Sequence, residues 1–380
     1  MEQYAGYEQG PIRPPSEAKS LLLRVTRNCP WNRCAFCPVY KGASFSRRPV
    51  EHVLRDIDAL SACAAQLLEL RDREGRILHS DFRQLAYAAG ADRRAFHAAY
   101  HFIHDGMDSV FLQDANALMA KPDGLAAILG RLREAFPTIR RMTTYARSQT
   151  AARISDKDFA RLREAGLGRV HIGMESGSDA VLSLVSKGAT KAAHVLGGRK
   201  AKAAGLELSE YYIPGLGGRA LSREHVRESA DALNRIDPDF IRLRTLCIPA
   251  DAPLAREVRA GRFRKMGDVE TAKELLDFLE SLDGVSSTVT SDHVLNLLPE
   301  IEGRLPRDKE RLTAPLRRFL DMDREEQALF QLGRRLTILE RLSDLDNPVL
   351  RRRVLQAWDE LGVSAENVDG VVDALMSRFV

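Results

Sequence analysis

Short apolar runs separated by helical stretches recur six times between residues 20 and 247, and that alternation restricts the fold more than anything else in the chain. The runs cover 20–26, 109–112, 141–145, 168–174, 206–213 and 240–247. Each is too short for a helix, and most are rich in β-branched, aromatic or bulky apolar side chains. Between them apolar residues return at helical spacing, as Val53, Leu54, Ile57, Leu60, Leu67 and Leu68 do within 51–70. Helices are likewise expected over 125–136, 156–165, 180–185, 190–204 and 223–236, with Gly166 and Gly205 placed as C-terminal caps. Strands joined by crossover helices pair in parallel, so the expected class is α/β. Active sites in such sheets lie at the carboxyl ends of the strands.

The rest of the chain sorts around this repeat. Residues 1–18 are polar and carry Pro11, Pro14 and Pro15, which predicts an N-terminal arm. The core is expected over 19–262. Within it, 70–107 is longer than a crossover needs and has helical patterns over 81–89 and 93–104. It reads as an insertion near the carboxyl ends of the strands, shaped to act as a lid. Residues 263–380 read as a helical region, with patterns over 265–282 and 325–345. No run of eighteen apolar residues occurs, and the N-terminus lacks the apolar core of a signal peptide, so a cytoplasmic protein without a membrane partner is expected. The 57 basic and 53 acidic residues leave a charge of +4, too balanced to point to a dedicated nucleic-acid binder.

Five cysteines are present: Cys29, Cys34, Cys37, Cys63 and Cys247. The number is odd and no export signal accompanies it, which argues against a disulfide framework. Three of the five fall in Cys29-Pro-Trp-Asn-Arg-Cys34-Ala-Phe-Cys37. Three thiolates in one tight loop suit zinc or an iron–sulfur cluster. A structural zinc needs four protein ligands. Cys63 falls in an expected helix, Cys247 at a strand end and His52 at a helix start, so none is an evident fourth. On a four-iron cluster, three cysteines leave one iron open.

A strand, a cysteine triplet with an aromatic residue before its third member, and then a parallel strand–helix repeat resemble the radical S-adenosylmethionine (radical SAM) superfamily. The first cysteine spacing, four residues, departs from the family's usual three. The likeness runs over roughly 18–262. Residues 170–188, VHIGMESGSDAVLSLVSKG, are similar to the fourth-strand region of the branch that holds Elp3-like, methylthiotransferase-like and anaerobic coproporphyrinogen-oxidase-like enzymes. Residues 212–218, YIPGLGG, are similar to the glycine-bearing motif after its fifth strand.

The resemblance implies a six-stranded parallel partial (β/α)6 TIM-like barrel with a helical insertion and a helical C-terminal region. It implies a [4Fe-4S] cluster held by Cys29, Cys34 and Cys37, with S-adenosyl-L-methionine on the open iron. Phe36 would pack against adenine. Where the family carries glycine-glycine-glutamate, this chain has Gln113 and Asp114, either of which offers an acceptor for the methionine ammonium; Asp114 and Asn116 also suit a helix N-cap. Glu175 and Ser176 would meet the ribose hydroxyls or the methionine amino group, while Ser178 and Asp179 suit the cap of the next helix. Lys187, or Arg147 as a second candidate, would pair with the SAM carboxylate. Ile213, Gly215 and the backbone at Cys247 would line the adenine pocket.

Other features carry less. His97, His101 and His104 share a helix face, which reads as surface before it reads as a metal site. His293 stands in a mixed polar and apolar stretch from which it can reach back to the active site, and 351–353 reads as a solvated basic face. The implied activity is reductive cleavage of SAM to a 5′-deoxyadenosyl radical that abstracts hydrogen from a small-molecule substrate, with ferredoxin or flavodoxin as electron donor. The alternatives are a tRNA- or protein-modifying radical SAM transferase and a non-catalytic iron–sulfur or zinc accessory protein. Methylthio-transfer is disfavoured, because only two distant cysteines remain for a second cluster. Nucleic acid is not expected either, since the added segments lack aromatic residues interleaved with basic ones.

Overall fold

The computed structural model describes residues 2–72 and 74–377. Its strands, in chain order, are β1 (Leu21–Arg24), β2 (Thr26–Arg27), β3 (Ser46–Arg47), β4 (Ser109–Gln113), β5 (Arg141–Ala146), β6 (Leu167–Glu175), β7 (Glu207–Tyr212), β8 (Phe240–Leu243), β9 (Thr288–Thr290) and β10 (Glu302–Arg304). Eight of them form one sheet in the order β1-β4-β5-β6-β7-β8-β9-β10, and β2 pairs with β3 as a separate antiparallel ribbon. The pairings β1–β4, β4–β5, β5–β6, β7–β8 and β8–β9 are parallel, and β9–β10 is antiparallel. All six apolar runs are therefore strands of an α/β sheet.

Three expectations need correction. The region after residue 263 is not wholly helical, because β9 and β10 come from it. The β-branched triplet Thr288-Val289-Thr290 follows the helix Asp268–Ser281 as one more crossover onto β8, and it is too short to register as a periodic pattern. The run 240–247 stops as a strand at Leu243. The helix expected over 325–345 ends at Arg335: Thr337 takes φ +57°, and the Ile338 and Leu339 amides bond back to the Gly333 carbonyl at 2.9 and 3.1 Å. In the insertion, the second helix, Arg93–His104, buries Phe96, Ala99, Phe102 and Ile103 and packs on Val50–Glu69 and on β1.

The chain divides into two units. The first comprises the chain up to Asn32, then 42–172 and 199–208. Here Val50–Glu69 packs against Arg93–His104 and Pro122–Ala135, which in turn packs on Asp156–Ala165. β4 is buried along its whole length, as a central parallel strand must be. The N-terminal arm is ordered. Tyr7 is 2% exposed, Glu8 pairs with Arg24 and Arg27, and the Gly10 amide donates to Gln113 Oε1 at 2.8 Å.

The second unit comprises 33–41, 173–198 and the chain from Ser209 onward. Helices Gly218–Ile236 and Asp268–Ser281 pack together, and the Tyr212 ring stacks between His225 and Phe278 at centroid distances of 4.7 and 3.9 Å. Further on, Lys309–Asp321 packs on Asp268–Ser281, and Arg324–Arg335 packs on Pro348–Leu361 and Val368–Met376. Among the described residues no helix is long and apolar enough to cross a membrane.

One buried carboxylate in the first unit makes a stability test. Glu17 is fully buried, accepts from Ser20 Oγ at 2.6 Å, and lies 3.2 Å from Arg141 Nη2 and 3.4 Å from His171 Nε2. Burial alone raises a carboxyl pKa, but the bonds from His171 and Ser20 and the charge of Arg141 outweigh it and bring Glu17 down to about 2. A lowered folded pKa gives stability that is complete above the unfolded value of 4.5 and lost as pH falls toward 2. Glu17→Gln is expected to cost about 3 kcal/mol at pH 7, a gap that closes as pH drops below the unfolded value. Urea denaturation at stepped pH measures both. A gap that does not narrow with falling pH would remove Glu17 from that role.

Candidate active site

In the first unit, the chain leaves β1 and β2 through Asn28 and Asn32, which take φ of +65° and +48° on either side of Cys29. Asparagine tolerates this left-handed region better than most side chains, so the sequence admits a sharply turning loop here. The Asn32 amide donates to Cys29 Sγ at 3.4 Å. Arg147 lies over the Trp31 ring, 4.9 Å from its centroid. Asp114 is buried, accepts from Arg24 Nη2 at 2.6 Å and from the Asn28 amide at 3.2 Å, and so fixes the start of the loop. Gln113 faces the N-terminal arm: its Nε2 donates to the Gly10 and Ile12 carbonyls at 3.1 and 2.7 Å, and it holds the arm rather than an ammonium. Asn116 donates to Thr150 Oγ1 and makes no side-chain cap.

In the second unit, the Ala35 amide donates to the Val185 carbonyl at 2.8 Å and the Leu254 amide to the Ala35 carbonyl at 2.9 Å. These bonds stitch the Cys34–Cys37 segment to its surroundings. Phe36 packs against the cluster that includes Val185, Ile213, Leu246 and Phe263. Lys187 Nζ lies 5.9 Å from the Phe36 centroid and 3.1 Å from Glu175 Oε1. Glu175 ends β6 with φ +63°, an unusual conformation for a side chain of its size. Gly173 makes room for this pair, since a Cβ there would stand 2.2 Å from Glu175 Oε1 and 3.1 Å from Lys187 Nζ. Phe36, Glu175, Lys187 and Ile213 are thus gathered at the ends of β6 and β7.

Ser176 is committed to the scaffold instead of reaching for a ribose. His225 Nε2 lies 3.0 Å from the Ile213 carbonyl, which can only accept, so this nitrogen carries the proton. Nδ1 then accepts from Ser176 Oγ at 2.8 Å, and Ser176 Oγ accepts from the Ser178 amide at 3.0 Å. Burial pushes His225 down to about 4, which keeps the ring neutral. Ser178 caps Asp179–Leu184 through a 3.2 Å bond from the Val181 amide, as its position suggested, and Asp179 accepts from the Lys191 amide at 2.7 Å. Gly215, at φ +79°, donates to Glu274 Oε1 at 2.6 Å. Burial raises Glu274 to about 7 against that bond and those from Ser222 and Tyr212.

The remaining candidates make other contacts. Cys247 is half-buried beside Lys265 and Asp373, and burial pushes its thiol up. His97 stacks edge-on against Phe82, and the His104 side chain is 77% exposed, as a surface face requires. Arg351 pairs with Glu326, while Arg352 and Arg353 are exposed. Two features escaped the sequence reading. Glu210, on β7, is fully buried, and Arg242 and Arg244 meet one carboxylate, Asp292, just past β9. The two-residue step between those arginines is the sequence signal, since it puts both on one face of a strand run.

No protein-family model matches the chain, and no curated protein matches it in sequence. Solved structures do. Elp3 of Methanocaldococcus infernus matches over 49% of this chain and 48% of its own, at 15% identity and TM-score 0.40. The radical S-adenosylmethionine methyltransferase TsrM of Kitasatospora setae matches over 63% and 36%, at 17% and 0.43. Coproporphyrinogen III oxidase (HemN) of Escherichia coli, a radical SAM enzyme, matches over 65% and 48%, at 15% and 0.42. The chain spans half or less of the length of each of these three. Scores below 0.5 leave function to be argued from the residues.

Glu210 yields a prediction with a definite sign. Burial, then the nearby Glu175 charge, raise its pKa well above the ordinary value, against the pull of Lys187 and a contact at the Met174 backbone. A raised folded pKa means stability lost as pH climbs from the unfolded pKa through the folded one. Glu210→Gln, which keeps the shape and has no proton to lose, is expected to be more stable than wild type at pH 8 and little different at pH 5. Melting temperatures at the two pH values decide it. A variant less stable than wild type at pH 8 would mean that Glu210 is folded as the charged form.

Proposed function

We propose that the chain is a radical SAM enzyme acting on a small-molecule substrate, with residues 19–262 as its catalytic core and β1 and β4 to β8 as the six strands of a partial barrel. The observation that carries this reading is the Glu175–Lys187 pair beside Phe36. A carboxylate and an ammonium 3.1 Å apart are the complement of an amino acid's own α-ammonium and α-carboxylate, and the adjacent aromatic face suits a base. S-adenosylmethionine has both parts.

The thiols fit the cluster this chemistry needs. Cys29, Cys34 and Cys37 are partly exposed, and sulfur is the donor iron–sulfur clusters take. When bound, such a cluster would supply the electron for reductive cleavage of SAM. Around it, Lys187 would receive the methionine carboxylate, with Arg147 as the second candidate. Glu175 would receive the ammonium, or the ribose hydroxyls. Ile213, Gly215 and the backbone at Cys247 would bound the adenine site. A ferredoxin- or flavodoxin-like donor would supply the electron.

Anaerobic reconstitution tests the reading. The expected product holds about four irons per chain, a content that Cys34→Ala loses, and cleaves SAM to 5′-deoxyadenosine with a chemical reductant. Glu175→Ala is expected to weaken SAM binding by about 1.5–3 kcal/mol in calorimetry, the value of a charge-assisted bond. Ser178→Ala is expected to leave SAM affinity alone and to cost about 1 kcal/mol of fold stability. Stoichiometric zinc with negligible iron, or equal SAM affinity in wild type and Glu175→Ala, would sink the proposal.

A further inference from the structure

Parallel strands are usually apolar on both faces. Along β7, β8 and β9, one face is not. Arg242 of β8 stands in register with Tyr211 on one side and Thr290 on the other, so the three share a face. Arg242 is 4% exposed, donates from Nε to Ser209 Oγ at 3.0 Å, and donates from Nη1 to Asp292 Oδ2. Arg244, two residues on, donates from Nη1 to Asp292 Oδ1 at 2.7 Å and lies over the Tyr211 ring, 4.4 Å from its centroid. Two guanidiniums therefore close on the two oxygens of a single carboxylate. Close by, Thr290 Oγ1 and His293 Nδ1 are buried polar atoms without a hydrogen-bond partner. Burial, then the charge of Arg244, lowers His293 to about 4, so its ring is neutral near pH 7.

The chemistry of this group selects its ligand. A guanidinium has five donors and no acceptor, and its planar fork matches carboxylate and phosphate. The Thr290 hydroxyl has a proton to donate as well. Asp292, whose side chain is 26% exposed, already occupies the fork with a group of the kind it prefers. We infer that Arg242, Arg244, Thr290 and His293, at the carboxyl ends of β8 and β9, form an anchor for an oxyanion, a carboxylate or a phosphate, and that Asp292 holds the arginines in place until it binds. That the oxyanion belongs to the substrate rests on the reaction proposed above; the site itself does not.

The test is calorimetric titration of the full chain as purified with succinate and, separately, with inorganic phosphate, in wild type, Arg244→Met, Arg244→Lys and Asp292→Asn. One of the two anions is expected to bind wild type, and which one does so tells carboxylate from phosphate. Arg244→Met should weaken it tenfold or more. Arg244→Lys should keep part of the affinity, because charge survives and the fork does not. Asp292→Asn should tighten binding several-fold, since the competing carboxylate is gone. That last variant separates an anchor from an internal ion pair, and it stands even if Arg244→Met does not fold. Binding of neither anion, or equal weakening in Asp292→Asn and Arg244→Met, would overturn the inference. The readout needs neither iron nor SAM, so failure of reconstitution would refute the proposed reaction and leave this result interpretable.

Discussion

A charge buried against the sheet must be answered at hydrogen-bond distance. Glu17 is answered by Ser20, Arg141 and His171, and Asp114 by Arg24 and the Asn28 amide. In the second unit Glu175 is answered by Lys187, and Arg242 by Ser209 and Asp292. Losing one partner of such a pair strands the other charge, at about 3–5 kcal/mol. The pairs are therefore positional devices. Asp114 holds the start of the cysteine loop to the end of β4, and Glu175 holds Lys187 beside Phe36.

Neutral groups do the joining between those charges. His225 cannot carry a proton on both nitrogens in its buried setting, so it donates to the Ile213 carbonyl and accepts from Ser176. That relay ties the turn after β6 to the turn after β7 without adding charge to either. The stacked rings of Tyr212 and Phe278 wall it off, and Glu274 holds the Gly215 amide behind them. Ser176 and Glu175 are consecutive, yet one faces the scaffold and the other Lys187. The positive φ of Glu175 makes that division possible.

The sequence made the strands legible because a parallel sheet writes them as short apolar runs, and it made the cysteine loop legible because the thiols are contiguous. It hid what depends on contacts between distant segments. Gln113 looked like an acceptor for an ammonium, since nothing local says that Gly10 and Ile12 will reach it from a hundred residues away. β9 escaped because three residues carry no period. The helix after Arg324 was read too long because a threonine at positive φ is not a breaker that composition reveals. Ser178 was read correctly as a cap, since a capping serine acts on its own next turn.

Glu210 shows why the neutral and charged groups have to be considered together. It lies close enough to Glu175 and Lys187 to feel both charges, and it is buried completely. Were Glu210 ionised, the single ammonium of Lys187 would face two carboxylates, and the group would carry a net negative charge in a low-dielectric setting. Burial raises the Glu210 pKa and so favours its neutral form, which leaves Lys187 to Glu175. A zwitterion that inserts into a neutral pair exchanges one set of opposite charges for another and adds none. The burial that raises the Glu210 pKa thus bears on the electrostatic character of the candidate site from β7.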